Sequence, residues 1–357
     1  MSFGMSFVDD ADQLPAFVEV NRPRAHGAGL DLFEYDRVTA PLTSLHDWPA
    51  AFAAAGRRYA SAAERAAAEG RTVTAGTAYR DAARWFHVAG LLPHPDRAAA
   101  ARLAAEADAA MRRALALLEP TAERVEGEGF AGWLRRPARV GQAAPAGEVP
   151  VVVVVPGMDS GKEEFHAVAE ALLARGVAVL AIDGPGQGVL AATSAPEPDY
   201  QRVVGRALDA IAHHDGLDPA RVAVIGLSLG GYYAATAAAR EPRLRAAVTV
   251  SGPYRLDWEH LVPFVTETLA QRCGGPEAAR AFAARVDLTA LAPAITLPLL
   301  VVEGGEDRIP GVTNATTLAS EAPNAELLLV PHGNHLLGTA LPDWLPTTAD
   351  WLASRLA

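Results

Sequence analysis

The stretch Val222-Ala-Val-Ile-Gly226-Leu-Ser228-Leu-Gly230-Gly231-Tyr-Tyr233 decides how the chain is read. An apolar run of mostly β-branched residues stops at Gly226. An alanine-rich helical pattern begins just after Ser228 and runs to about Arg240. Strand, sharp turn, helix is the setting that a G-x-S-x-G nucleophile turn requires. A serine at such a turn sits in a strained backbone conformation, so its neighbours must be very small. Gly226 and Gly230 meet that need, and Gly231 allows close helix packing. The serine is then raised above the sheet edge at a helix N-terminus, where free N–H groups favour developing negative charge.

Around this centre the chain divides in two. Residues 1 to about 40 show no clear period, carry Pro15 and Pro23, and read as an irregular lead-in. From Ser44 to Leu118 three helical patterns follow without a strand. The first starts at an Asp47 cap and carries Phe52 and Tyr59. The second runs about Thr74 to Gly90 with Tyr79, Trp85 and Phe86, and the third about Asp96 to Leu118. Residues 1–120 are therefore expected to form a lead-in and a helical cap domain, and 121–357 a catalytic domain.

Beyond Thr121 an edge pair, Glu123–Val125 and Phe130–Arg135, precedes a Pro/Gly/Ala loop over Pro137 to Gly147. Strands are then expected at Val149–Val155, Val177–Ile182, Val222–Ile225, Ala246–Val250, Leu299–Val302 and Leu327–Val330. Helices are expected at Glu163–Arg175, Tyr200–His213, after Ser228, and from Trp344. Doubly apolar strands alternating with helices mean a mostly parallel, doubly wound sheet. A mostly helical insertion lies at about 254–294.

Composition limits the function. Of 357 residues, 50% are hydrophobic and 20% charged, which describes a folded globular chain. A net charge of −11 without a basic block argues against nucleic acid. The longest apolar run, Val149 to Val155, is too short to span a bilayer, so no membrane partner is expected. Cys273 is the only cysteine, which excludes an internal disulfide and a cysteine-rich metal site and fits a cytoplasmic protein. Lys162 is the only lysine.

A nucleophilic serine needs a base and an orienting acid, and in the order Ser, acid, His both follow late strands. Asp307 is read as the acid, with Glu303 and Glu306 as rivals. His335 is read as the base, with His332 as rival. The oxyanion hole needs two backbone N–H groups, read at Leu229 and at Met158 in Pro156-Gly-Met-Asp-Ser-Gly-Lys-Glu-Glu164. Asp159 either reaches the pocket above Ser228 or caps the next helix in competition with Ser160. The glycine-rich Asp183-Gly-Pro-Gly-Gln-Gly188 lacks the spacing of a phosphate loop and reads as a tight turn beneath the site. Trp85, Phe86, His87, Tyr232, Tyr254 and Trp258 are candidate substrate-wall residues between cap and core.

Together these residues resemble the α/β-hydrolase superfamily. The oxyanion-loop and Asp183–Gly188 motifs, with Arg84-Trp-Phe-His87 in the helical region, resemble more narrowly the 2,6-dihydroxypseudooxynicotine hydrolase group, to which polyketide-shortening C–C hydrolases are similar. The resemblance implies a hydrolase core with an N-terminal helical cap, often dimeric, and no metal or organic cofactor. It implies a triad at Ser228, Asp307 and His335, and sets the group's oxyanion-loop glutamate on the shorter Asp159. The expected activity is C–C hydrolysis of a β-diketone-like or acylated aromatic small molecule. A carboxylesterase or thioesterase is the alternative, and a non-catalytic hydrolase-fold receptor a third.

Overall fold

The computed structural model describes residues 6–93, 96–137 and 148–357. Most of the expected Pro137–Gly147 loop therefore lies outside the described residues. The chain opens with five helices: α1 (Gln13–Gly27), α2 (Leu32–Thr39), α3 (Trp48–Ala68), α4 (Thr72–Ala89) and α5 (Arg97–Leu118). The expectation of an irregular lead-in is thus corrected: α1 and α2 occupy most of it. Asp31 caps α2 by accepting from the Glu34 N–H, and Asp96 caps α5 from Ala98 and Ala99. The five helices share one apolar cluster around Trp48, Phe52 and Trp85, into which Trp133 of the sheet and Phe264 also reach.

The remaining elements are β1 (Glu123–Gly127), β2 (Phe130–Arg135), β3 (Val149–Val155), α6 (His166–Leu173), β4 (Ala178–Asp183), α7 (Gln201–Ile211), β5 (Leu217–Leu227), α8 (Leu229–Arg240) and β6 (Leu244–Val250). Then come β7 (Pro253–Leu256), α9 (Pro263–Cys273), α10 (Pro276–Ala283), β8 (Leu299–Gly304), β9 (Val312–Asn314), α11 (Thr316–Glu321), β10 (Ala325–Val330) and α12 (Leu341–Arg355). Eight strands form one sheet in the order β1-β2-β4-β3-β5-β6-β8-β10. The β1–β2 and β2–β4 pairings are antiparallel, and β4 through β10 are parallel. Val151 to Val155 at the centre are essentially inaccessible, as strands covered on both faces must be.

The expected helix from Glu163 starts only at His166, because Lys162, Glu163 and Glu164 are drawn into buried ion pairs. The insertion at about 254–294 holds α9 and α10, and it also holds β7, which pairs antiparallel with β9. This small ribbon fixes the chain beside the carboxyl ends of the parallel strands, where open α/β sheets place their ligand sites.

Candidate active site

Ser228 sits between β5 and α8 with φ 56° and ψ −130°, a region that ordinary residues avoid. The crowding that enforces this is visible at the glycines. A Cβ on Gly226 would meet the Gly230 carbonyl, and one on Gly230 would meet the Val155 carbonyl. The Ser228 N–H donates to the Val250 carbonyl at 2.9 Å, which ties the turn to β6.

His335 follows β10 and Asp307 follows β8. His335 Nδ1 lies 2.9 Å from Asp307 Oδ2, and Nε2 lies 3.0 Å from Ser228 Oγ. An ionised carboxylate only accepts, so this contact puts the proton on Nδ1 and leaves Nε2 to accept from the Ser228 hydroxyl. The loop is pinned beyond His335: Leu336, at φ 64°, donates its N–H to Ser251 Oγ at 3.0 Å. The rivals lie elsewhere. Glu306 is exposed, and His332 faces solvent beside Asp343 at 3.1 Å. Glu303 is fully buried beneath Asp307, where burial, then the Asp307 charge, push its carboxyl up to about 8.

The Pro156–Glu164 loop passes directly over the serine. A Cβ on Gly157 would lie 3.0 Å from Ser228 Cβ and 3.3 Å from Oγ. Gln187 holds this loop: its Nε2 donates to the Pro156 carbonyl at 2.6 Å and the Gly157 carbonyl at 3.0 Å. In a trans peptide, C=O and N–H point opposite ways, so a Gly157 carbonyl turned to Gln187 turns the Met158 N–H away from it. Leu229 is the first residue of α8, where an N–H has no partner within the helix. The Gln187 Oε1 in turn accepts from Gly184 N–H and from the Tyr200 hydroxyl, both at 2.8 Å. The glycine-rich turn at Asp183–Gly188 is therefore a brace for the loop. Gln187 was not singled out by sequence, although its position in that motif was.

Asp159 neither caps a helix nor faces Lys162. Arg24 of α1 donates to its two oxygens at 2.7 and 3.3 Å, and also to Glu164 and to Ser160 Oγ. A second buried cluster lies alongside. Lys162 Nζ is 2.8 to 2.9 Å from carboxylates of Asp108, Glu163 and Asp183, with its side chain wholly inaccessible. Burial alone would push the ammonium down; the three carboxylates outweigh it and hold it above its usual range. For Glu164, burial pushes upward, yet Arg24 and then His87 bring it well below the usual carboxylate range.

A cavity of about 330 Å³ opens over Ser228. Its walls are largely apolar: Phe17 and Val20 of α1, Phe264 and Leu269 of α9, and Ile309 and Val312 beyond β8. Met158, Asp159, Leu229 and His335 border it too. None of the six expected wall residues does. Trp85 packs in the helical core against Phe52 and Tyr59, and Phe86 and His87 border a separate cavity. The Tyr232 hydroxyl donates to the Arg285 carbonyl and that of Tyr254 to Glu321, and Trp258 lies under Arg280. The expectation of a roof from residues 44–118 is corrected: α1 lies between those helices and the serine. No helix among the described residues is long and apolar enough to cross a membrane, and no cluster of potential metal-binding side chains occurs among them.

Comparison with known proteins fits this geometry. The family described as serine aminopeptidase, S33, matches residues 148–275. A protein of Penicillium citrinum named an alpha/beta hydrolase is 31% identical over 252 residues, 66% of this chain and 58% of that one, so less than two thirds of its length is spanned. The crystal structure of 2,6-dihydroxy-pseudo-oxynicotine hydrolase superposes with a TM-score of 0.82 at 25% identity, over 94% of this chain and 95% of that one.

The chain is an α/β-hydrolase.

The 2,6-dihydropseudooxynicotine hydrolase of Paenarthrobacter nicotinovorans is 29% identical to this hydrolase over 304 residues, 80% of each chain. The likeness therefore extends through the helical N-terminal region as well as the sheet, beyond the stretch that the aminopeptidase family matches.

Proposed function

We propose that this α/β-hydrolase acts through Ser228 as nucleophile, His335 as general base and Asp307 as its orienting acid, by way of an acyl-enzyme. The observation that carries this reading is the relay at 2.9 and 3.0 Å beneath an apolar cavity. Ser228 Oγ attacks a substrate carbonyl as His335 Nε2 takes its proton. The oxyanion is met by the N–H groups of Leu229 and Met158. The imidazolium protonates the leaving group, and water attacks the acyl-enzyme by the same route in reverse.

The substrate class we assign is an apolar aromatic or polyketide-like carbonyl compound, and the bond is the C–C bond of a β-diketone-like unit. Support comes from the apolar wall of Phe17, Phe264 and Ile309 and from the likeness to 2,6-dihydropseudooxynicotine hydrolase. Ester or thioester cleavage is the second reading, and the Arg24–Asp159 pair favours it. Both oxygens of Asp159 already accept from Arg24, which leaves His335 as the acid, and an imidazolium alone suffices for an alkoxide. In this reading residues 1–120 cover the catalytic unit of 121–357. The enzyme works in the cytoplasm, in keeping with its single cysteine, and as a homodimer, as the resemblance read from its motifs implies.

Two experiments test this. A fluorophosphonate should label the native protein at Ser228, and Ser228→Ala should lose turnover by several orders of magnitude, on the order of 10⁶ in the best-studied triads. Retention of a tenth of the activity would remove Ser228 from its role. Incubation with aryl esters, acylated phenols and β-diketones, with products read by mass, separates the two bonds.

A further inference from the structure

Asp159 also borders a second cavity, of about 50 Å³, between α4, α5 and α9, which Ser228 does not line. Water-sized centres need only about 10–15 Å³, so this space holds a small polar group or several waters. Phe86 and alanines of α5 form one side; Arg97, Asp159, Glu163 and Arg272 bring charge to it. The two acids are already engaged, Asp159 by Arg24 and Glu163 by Lys162.

The two arginines are not. Arg272, in the last turn of α9, has its Nε sealed from solvent with no hydrogen-bond partner among the described residues. Among the described residues its guanidinium finds no carboxylate within ion-pair distance. Arg24, Arg124 and Arg135, by contrast, are each clasped by acids. Burial pushes Arg272 down, and the more distant charges of Asp159 and Asp183 offset only part of that. Among the described residues Arg97, at the exposed rim, donates only to the Ala192 carbonyl, at 3.3 Å. A half-buried cation whose sealed Nε lacks a partner is costly, and proteins keep such groups where a ligand completes them. Guanidinium is the group that binds a carboxylate two-pronged. Asp159 borders both this cavity and the one over Ser228.

We propose that this second cavity is a subsite for a carboxylate carried by the substrate, bound by Arg272 with Arg97 at its rim. The proposal deepens the hydrolase reading above and rests on it for the identity of the substrate's other end. It makes the enzyme selective for acidic over neutral carbonyl compounds of equal length.

The test has an arm that needs no turnover. With Ser228→Ala protein, glutarate and benzoate binding is read by calorimetry. Adding Arg272→Gln should weaken that binding at least tenfold. In the active enzyme, 4-nitrophenyl monoesters of succinate, glutarate and adipate are compared with neutral esters of matching length. The best anionic-to-neutral ratio of kcat/KM should fall at least tenfold in Arg272→Gln and recover partly in Arg272→Lys. Arg272→Gln should leave Tm unchanged or raise it, because it removes a half-buried charge that no carboxylate among the described residues clasps. Anion binding indifferent to Arg272, an unchanged ratio, or a Tm drop of several degrees would each overturn the subsite. Loss of all turnover in native protein with anion binding intact would instead sink the hydrolase reading and leave the anion site standing.

Discussion

Glu303 and Asp307 are four positions apart at the end of one strand, and burial divides their work. Asp307 touches His335, whereas Glu303 lies beneath it, its Oε1 accepting from Ala315 N–H at 3.3 Å and its Oε2 without a partner. Asp307→Asn should therefore lower kcat by about 10⁴ if it fixes the tautomer of His335. Glu303→Gln should lower it far less, and a larger loss there would reverse the assignment. Glu303 also leaves a mark on stability. Its folded value of about 8 stands above the ordinary carboxylate value of about 4.3. Between those limits the native state holds a proton that the unfolded chain has lost, so stability falls as pH rises, by up to roughly 1.4 kcal/mol per pH unit, and levels off above about 8. Urea midpoints across this range should show that slope, and Glu303→Gln should flatten it. Asp159→Asn separates the two chemistries. A general acid there predicts a loss of at least about a hundredfold on a C–C substrate alone. The grip of Arg24 instead predicts similar losses on an ester and a C–C substrate, since the change loosens one loop for both.

At the scale of elements, α1 is the informative failure of sequence reading. Its buried residues are Phe17, Asn21 and Ala25, so the helical stripe is broken by an amide, and Pro23 lies inside the helix. What holds α1 is tertiary: Phe17 against Trp48 and Phe264, and Arg24 in the loop beyond β3. No local pattern encodes that. By contrast β3, β5 and α8 were plain, because their residues are apolar on both faces and the turn chemistry at Gly226 and Gly230 has few other uses. That Ser228, Asp307 and His335 come together was legible for the same reason, since all three sit at strand ends. The walls of the cavity over Ser228 were not, since aromatic spacing does not reveal which neighbour a ring meets. Removal of residues 1–29 should strip Phe17 and Val20 from the cavity and leave an inactive, aggregating protein; a soluble and fully active one would refute the roof. Arg24→Ala should destabilise by about 3–5 kcal/mol, the range for leaving buried acids unpaired, read as a shift in the urea midpoint.

Across the whole molecule, one ion cluster joins parts far apart in sequence. Asp108 comes from α5, Arg124 from β1, Lys162 and Glu163 from the loop after β3 and Asp183 from the end of β4. Lys162→Met should therefore act on every segment at once, destabilising the chain by several kcal/mol and lowering the urea midpoint. The same side chain is the only lysine, and it is sealed. A lysine-specific protease thus has one cleavage site in 357 residues, closed in the native state. Amine-reactive reagents therefore find no open lysine in the folded protein. The rate at which such a protease nicks the chain is a direct clock for the opening of its interior.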